Sequence, residues 1–109
     1  MGSFAVGDVV LVAFPYADFS TFKIRPALVV GKAEFNNFIT CQITSKATTS
    51  KKAVQLTDKE FSSGGLKVDS YIRPDKLFTV EQSVIQAKAS ALLDDKTRQI
   101  KTSIREIFS

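Results

Sequence analysis

The chain has 109 residues and a net charge of +4 at pH 7. This length predicts one domain over residues 1–109. The single cysteine excludes an internal disulfide, and the absence of histidine excludes His-based zinc sites and a histidine general base. No apolar run approaches the roughly 20 residues of a membrane-spanning helix, and no signal peptide is visible, so we expect a cytoplasmic protein with no membrane partner. The charge fits solubility alone or attraction to nucleic acid.

Three apolar runs in the first half of the chain predict β-strands. Residues 9–14 have the Val-rich composition of a buried strand. Residues 26–30 form the second strand, and Arg25 enters it in an extended conformation because it precedes a proline. Residues 38–44 form the third strand, after a hairpin turn at Asn36-Asn37.

Two loops follow the first and third of these strands. The first loop, residues 16–24, holds three aromatic rings, which either cap the hydrophobic core or stack on bases. The second loop, residues 45–52, is polar and basic.

The second half of the chain predicts short strands at residues 53–56, 70–73, 76–80 and 84–89. Thr57 and Glu60 have the spacing of a capping box, which predicts one helical turn that Gly64-Gly65 ends. Pro74 ends the strand at residues 70–73.

A C-terminal helix begins at Asp94-Asp95, with aspartate at the N-cap. Its apolar stripe is expected to pack on the sheet and consists of Ile100, Ile104, Ile107 and Phe108. Strands outnumber helices and follow one another directly. This order predicts a mainly β fold, a small antiparallel barrel with a helix at its end.

Four motifs occur in this chain in a characteristic order. They are residues 7–12 (GDVVLV), 25–30 (RPALVV), 42–45 (QITS) and 70–79 (SYIRPDKLFT). In order and spacing they resemble the MazF/PemK toxin family, in particular its PemK-like branch. The resemblance implies an SH3-like barrel of the CcdB/MazF/PemK type with short helices.

The resemblance also implies a function. Members of this family are toxins of type II toxin–antitoxin systems that inhibit growth. Most are endoribonucleases (mRNA interferases) that cleave single-stranded RNA at short sequences without a metal or cofactor. They are usually homodimers, and a cognate antitoxin inhibits them by laying a disordered tail over the RNA groove. DNA binding is expected only of the toxin–antitoxin complex.

Carried over residue by residue, the family's catalytic arginine matches Arg25 and its catalytic threonine matches Thr44. Arg25 is always charged and its fork of donors suits phosphate oxygens, so it would stabilise the phosphorane that forms when a 2′-OH attacks phosphorus. Thr44 would donate its hydroxyl to a non-bridging oxygen. No carboxylate in the motifs is an obvious general base, and Asp8 is expected to organise a turn. The RNA contacts that the resemblance implies are Tyr16, Phe19, Phe22, Lys23, Ser45, Lys46, Lys51, Lys52, Arg73 and Lys76.

The first loop departs from the better-known members, because residues 17–24 (ADFSTFKI) contain no glycine. The alternative interpretation is a non-catalytic member of the same fold, either a gyrase-poisoning protein of the CcdB type or an antitoxin-binding co-repressor. Arg25 would then form a surface salt bridge at a strand edge, and Thr44 would be an ordinary strand residue. The presence of both residues in their motifs favours the nuclease.

Overall fold

The computed structural model describes residues 4–15, 22–45, 51–66 and 69–109. Seven β-strands and one α-helix lie in these ranges. They are β1 (Asp8–Pro15), β2 (Phe22–Lys32), β3 (Asn37–Thr44), β4 (Val54–Leu56), β5 (Phe61–Gly64), β6 (Ser70–Glu81), β7 (Ile85–Leu92) and α1 (Asp94–Ile107). Two short 3₁₀ turns, Asp58–Glu60 and Gln82–Val84, precede β5 and β7.

The strands form one antiparallel sheet in the order β4-β6-β3-β2-β1-β7-β5. Three strands separate β6 from β7 in this order, yet only the 3₁₀ turn Gln82–Val84 joins them along the chain. The sheet therefore curls until β6 and β7 meet at that turn. With the helix at the C-terminal end, this architecture confirms the predicted mainly β fold of antiparallel strands with a C-terminal helix.

Each face of the curled sheet carries a hydrophobic cluster. On the helix face, the buried residues are Val9, Leu28, Cys41, Ile43, Leu56, Ile72, Leu92 and, from α1, Ile100. On the opposite face, they are Val10, Val12, Ala27, Val29, Phe38, Val80 and Ile85. Successive strand residues can all be buried in this fold, because alternate side chains point to opposite faces and both faces are covered.

Strand β6 corrects one prediction, because Pro74 does not end it and the two predicted strands are one. Cys41 of β3 pairs with Leu77, whereas the next residue, Gln42, pairs with Arg73. Residues 74–76 therefore form a bulge in the ladder. Pro74 is fully buried in this bulge, a position at which the missing N–H of proline is tolerated.

Two other strand boundaries differ from the predictions. β2 begins at Phe22, so the last part of the predicted first loop belongs to a strand. The hairpin turn centres on Phe35 and Asn36, which both have a φ of 61°, and not on Asn36-Asn37. Left-handed φ values at both central residues are the geometry of a type I′ turn, whose twist matches that of paired strands.

The C-terminal half contains one unpredicted strand and one correctly predicted helix. The capping box at Thr57 and Glu60 is present, but β5 follows it directly. Helix α1 begins after Leu93 as N-cap, so the two aspartates lie in the first turn and not at the cap. Phe108 is 74% exposed and lies outside the buried stripe.

Candidate functional site

At one end of the sheet, the face opposite the helix carries polar side chains in place of apolar ones. Directly paired residues of neighbouring strands point to the same face. Arg25 pairs with Val12, a member of the cluster on this face. Gln42 pairs with Ala27 of the same cluster on one side and with Arg73 on the other. These pairings place Arg25, Gln42 and Arg73 on one face.

Three further residues extend this surface toward the edge of the sheet. Thr44 lies two residues beyond Gln42 on β3 and therefore points the same way. Tyr71 pairs with Thr44 on one side and with Gln55 on the other. We call the resulting six residues the polar patch, and they are Arg25, Gln42, Thr44, Gln55, Tyr71 and Arg73.

The strand register brings Arg25 and Thr44 to the same end of neighbouring strands. The β2–β3 ladder reaches Ala27 and Gln42. Continued by two residues, the same antiparallel register sets Arg25 opposite Thr44. Both side chains are partly exposed. The pair that the motifs predict as catalytic therefore occupies one accessible face.

Arg73 is held in place by a carboxylate two residues away. Its Nε donates to Asp75 Oδ1 at 3.0 Å, and its Nη2 donates to Asp75 Oδ2 at 2.9 Å. The hydrogen bonds from Arg73 lower the pKa of Asp75, and the same bonds raise the pKa of Arg73. A bidentate pair of this kind fixes the plane of the guanidinium. Arg73 is therefore a pre-oriented cation next to Gln42.

Asp8 organises the turn before β1, as expected. Its Oδ2 accepts a hydrogen bond from the Ala5 N–H at 2.9 Å, and its own N–H donates to the Ala5 carbonyl at 3.0 Å. Lys88 Nζ lies 3.3 Å from its Oδ1. Since Asp8 is four residues from Val12, the partner of Arg25, this carboxylate lies along β1 away from the polar patch.

The remaining predicted RNA contacts fall into three groups. Lys23, Ser45 and Lys76 are exposed. Lys51 and Lys52 line a cavity of about 210 Å³ together with residues of α1, so they lie against the helix. Tyr16, Phe19 and Lys46 lie outside the described residues, as does the side chain of Phe22.

Three residues of the polar patch were not predicted as functional: Gln42, Gln55 and Tyr71. Their signal in the sequence is the alternation of polar residues with core residues. Gln42 precedes the buried Ile43, and Tyr71 precedes the buried Ile72. Because successive strand residues point to opposite faces, Gln42 and Tyr71 point away from the face that these isoleucines occupy.

The described ranges contain neither a cluster of metal ligands nor a membrane-spanning helix. No group of three or more Cys, Asp or Glu side chains comes together there in an arrangement that could hold a metal ion. The one α-helix of these ranges is too short and too polar to span a membrane.

The model of one protein family matches nearly the whole chain. This family is described as the PemK-like, MazF-like toxins of type II toxin–antitoxin systems, and the match covers residues 5–108. The chain belongs to this family. The match confirms the resemblance seen in the four motifs. No curated protein matches the chain.

Solved structures share the fold at low sequence identity. MazF (Form I) from Deinococcus radiodurans is 19% identical, with a TM-score of 0.75 over 99% of this chain and 98% of that one. The Mycobacterium tuberculosis toxin MazF-mt6 is 17% identical, with a TM-score of 0.70 over 93% and 95%. An endoribonuclease from a mycobacterial species, in complex with its cognate antitoxin, is 14% identical, with a TM-score of 0.70 over 95% and 93%. The MazF-type barrel is thus common to all four chains.

Proposed function

We propose that this member of the MazF/PemK family is a sequence-specific endoribonuclease that cleaves single-stranded RNA without a metal ion. The observation that carries the proposal is the strand register, which sets Arg25 level with Thr44 on one accessible face. Membership of a toxin family supports it, as does the similarity to structures that are named endoribonucleases.

The chemistry needs charge stabilisation above all. When the 2′-OH attacks the adjacent phosphorus, negative charge grows on the non-bridging oxygens and the 5′-oxygen leaves. Arg25 presents a permanent positive charge with several N–H donors to those oxygens. Its backbone position is fixed because it lies within β2, where it pairs with Val12. Arg25 therefore stabilises the phosphorane.

Thr44 supplies a second donor at the end of β3. Its hydroxyl is one strand away from Arg25, so both groups can address the same phosphate. The polar patch contains no carboxylate, and the neighbouring Asp75 is already bonded to Arg73, so neither offers an evident general base. We assign to Thr44 the role of a hydrogen-bond donor to a non-bridging oxygen.

Partners follow from the same proposal. The chain acts as a homodimer, and a cognate antitoxin covers the polar patch with an extended segment. A tail of this kind competes with RNA for the same cations, so toxicity depends on the supply of antitoxin.

The test is cleavage of a long single-stranded RNA in the presence of EDTA, with the cut ends mapped. We expect discrete cuts by the wild type and a loss of about 10²–10³ in rate for Arg25→Ala and for Thr44→Ala. Arg98→Ala and Thr102→Ala are matched controls, because both residues are exposed on α1. They should cleave like the wild type.

A folded wild type that cuts no RNA would contradict the proposal. The non-catalytic alternative would then be examined by gyrase inhibition and by capture of the antitoxin. Cleavage that persists in folded Arg25→Ala and Thr44→Ala would place the active site elsewhere on the chain.

A further inference from the structure

Tyr71 is the one aromatic residue of the polar patch. It lies on β6 directly between Thr44 of β3 and Gln55 of β4. Neighbouring strands are about 4.8 Å apart, so its ring stands beside the proposed phosphate-binding hydroxyl of Thr44. A nucleotide next to a phosphate bound at Thr44 is within reach of this ring.

The hydrophobic core does not account for this ring. Tyr71 belongs to neither hydrophobic cluster of the described residues, and its side chain is partly exposed. The next residue, Ile72, is fully buried and anchors this part of β6 on the helix face. The two residues that flank Tyr71 across the strands are both polar.

The two arginines near the ring favour an anionic occupant over a neutral or cationic one. Arg73 lies two residues along β6 on the same face, and its guanidinium is held by Asp75. Arg25 lies on the same face across β3. An aromatic ring close to two guanidinium groups is a composition typical of a single-stranded nucleic-acid platform, since the ring stacks on a base while the cations bind the phosphates.

We infer that Tyr71 is a stacking platform for the RNA base next to the cleaved phosphate. This inference rests on the proposed function and adds a residue that binds the substrate outside the catalytic pair. Gln55 and Gln42 flank the stacked base, and their amides offer both a donor and an acceptor to its edge. Stacking itself is tolerant of sequence, so Tyr71 contributes affinity and the two amides contribute selectivity.

The chain offers a direct optical test. It contains no tryptophan and two tyrosines, Tyr16 and Tyr71. In a Tyr16→Phe variant, all tyrosine emission comes from Tyr71. The probe is an oligonucleotide that spans the mapped cleavage sequence and carries 2′-O-methyl groups, which block 2′-OH attack. We expect the emission to fall on saturation, because a stacked base quenches the ring.

Two substitutions separate stacking from other roles. Tyr71→Phe keeps the ring and should bind the oligonucleotide like the wild type. Tyr71→Leu keeps an apolar side chain without the ring, and we expect its dissociation constant to rise about 5- to 150-fold, equivalent to about 1–3 kcal/mol. Phe108→Leu is the matched control, because Phe108 is an exposed aromatic residue at the end of α1, and it should not change binding.

The possible results are distinct. Unquenched emission, or equal affinity of Tyr71→Leu and wild type, would overturn the inference, as would an equal loss in Tyr71→Phe. The inference would also be overturned if antitoxin binding required the Tyr71 ring and RNA binding did not. If the optical test fails while the wild type still cleaves RNA through Arg25, the proposed function stands. If the wild type cleaves nothing, the proposed function itself has failed.

Discussion

Helix α1 should stabilise the barrel chiefly through one side chain, Ile100. This residue is fully buried and is the one contribution of α1 to the fully buried cluster on the helix face. Ile104 packs only at the margin of that cluster. We therefore expect Ile100→Ala to be far more damaging than any other truncation along the described helix.

The loss of stability expected for Ile100→Ala follows from the complete burial of the Ile100 side chain. Truncation of a buried isoleucine to alanine removes its transfer free energy and leaves a cavity, which together cost about 2–5 kcal/mol. The total stability of a domain of this size is about 5–15 kcal/mol, so the variant loses a large part of it. Each kcal/mol shifts Tm by roughly 4–8 °C in a small domain, which predicts a decrease of at least about 8 °C.

The loss in free energy of unfolding is measured by urea denaturation, monitored by far-ultraviolet circular dichroism, with Phe108→Ala as the control. Phe108 is 74% exposed, so its truncation should change the free energy of unfolding by no more than about 0.5 kcal/mol. RNA cleavage by the folded fraction of Ile100→Ala should be retained, because the helix lies on the face away from the polar patch. If the two variants lost equal stability, or if Ile100→Ala lost less than about 1 kcal/mol, the packing described here would be refuted.

Three further predictions concern the described residues. Cys41 is fully buried, and burial raises the pKa of its thiol to about 12. A thiol reagent should therefore modify Cys41 only after the protein is unfolded in urea. Rapid labelling of the native protein would contradict the buried position of Cys41. Although burial of Glu60 opposes ionisation, the hydrogen bonds from Lys96 and from the Thr57 N–H lower the pKa of Glu60. This carboxylate therefore stabilises the fold at pH values above its unfolded pKa, and that stabilisation is lost as the pH falls through the lowered folded pKa. The urea midpoint of the wild type should therefore decrease between about pH 5 and pH 3, and it should decrease less in Glu60→Gln. Phe35 is 88% exposed with a φ of 61°, a backbone conformation that asparagine adopts more readily than phenylalanine, so Phe35→Asn should raise the free energy of unfolding by roughly 1 kcal/mol. A free energy of unfolding below that of the wild type would show that the Phe35 ring makes a stabilising contact.

The sequence was sufficient for the elements whose local pattern agrees with their environment. The buried strands β1, β2 and β3 are Val- and Ile-rich, and α1 has a helical apolar period, so residue type and spacing predicted them. The capping box at Thr57 and Glu60 was predicted for the same reason. β5 was missed because the sequence FSSG has neither alternation nor β-branched residues, and its pairing with β7 decides its conformation.

Strand β6 shows what local pattern could not provide. Strict alternation would place Leu77 on the same face as Arg73, since Leu77 is the fourth residue after Arg73. The bulge at residues 74–76 instead pairs Leu77 with Cys41, so Leu77 packs on the helix face. Proline chemistry suggested a strand end at Pro74, whereas the tertiary pairing of β6 with β3 made that position a bulge. For the candidate site, motifs named Arg25 and Thr44, but only the register revealed that Tyr71 stands beside Thr44.

Along the strands of this barrel, residues that stabilise the core alternate with residues of the polar patch. Ile43 lies between Gln42 and Thr44, and Ile72 lies between Tyr71 and Arg73, so buried and polar-patch residues alternate along the same strands. A change on the polar face leaves the core side chains on the other face untouched. Over evolution, such a scaffold can therefore exchange its recognition surface at nearly constant stability.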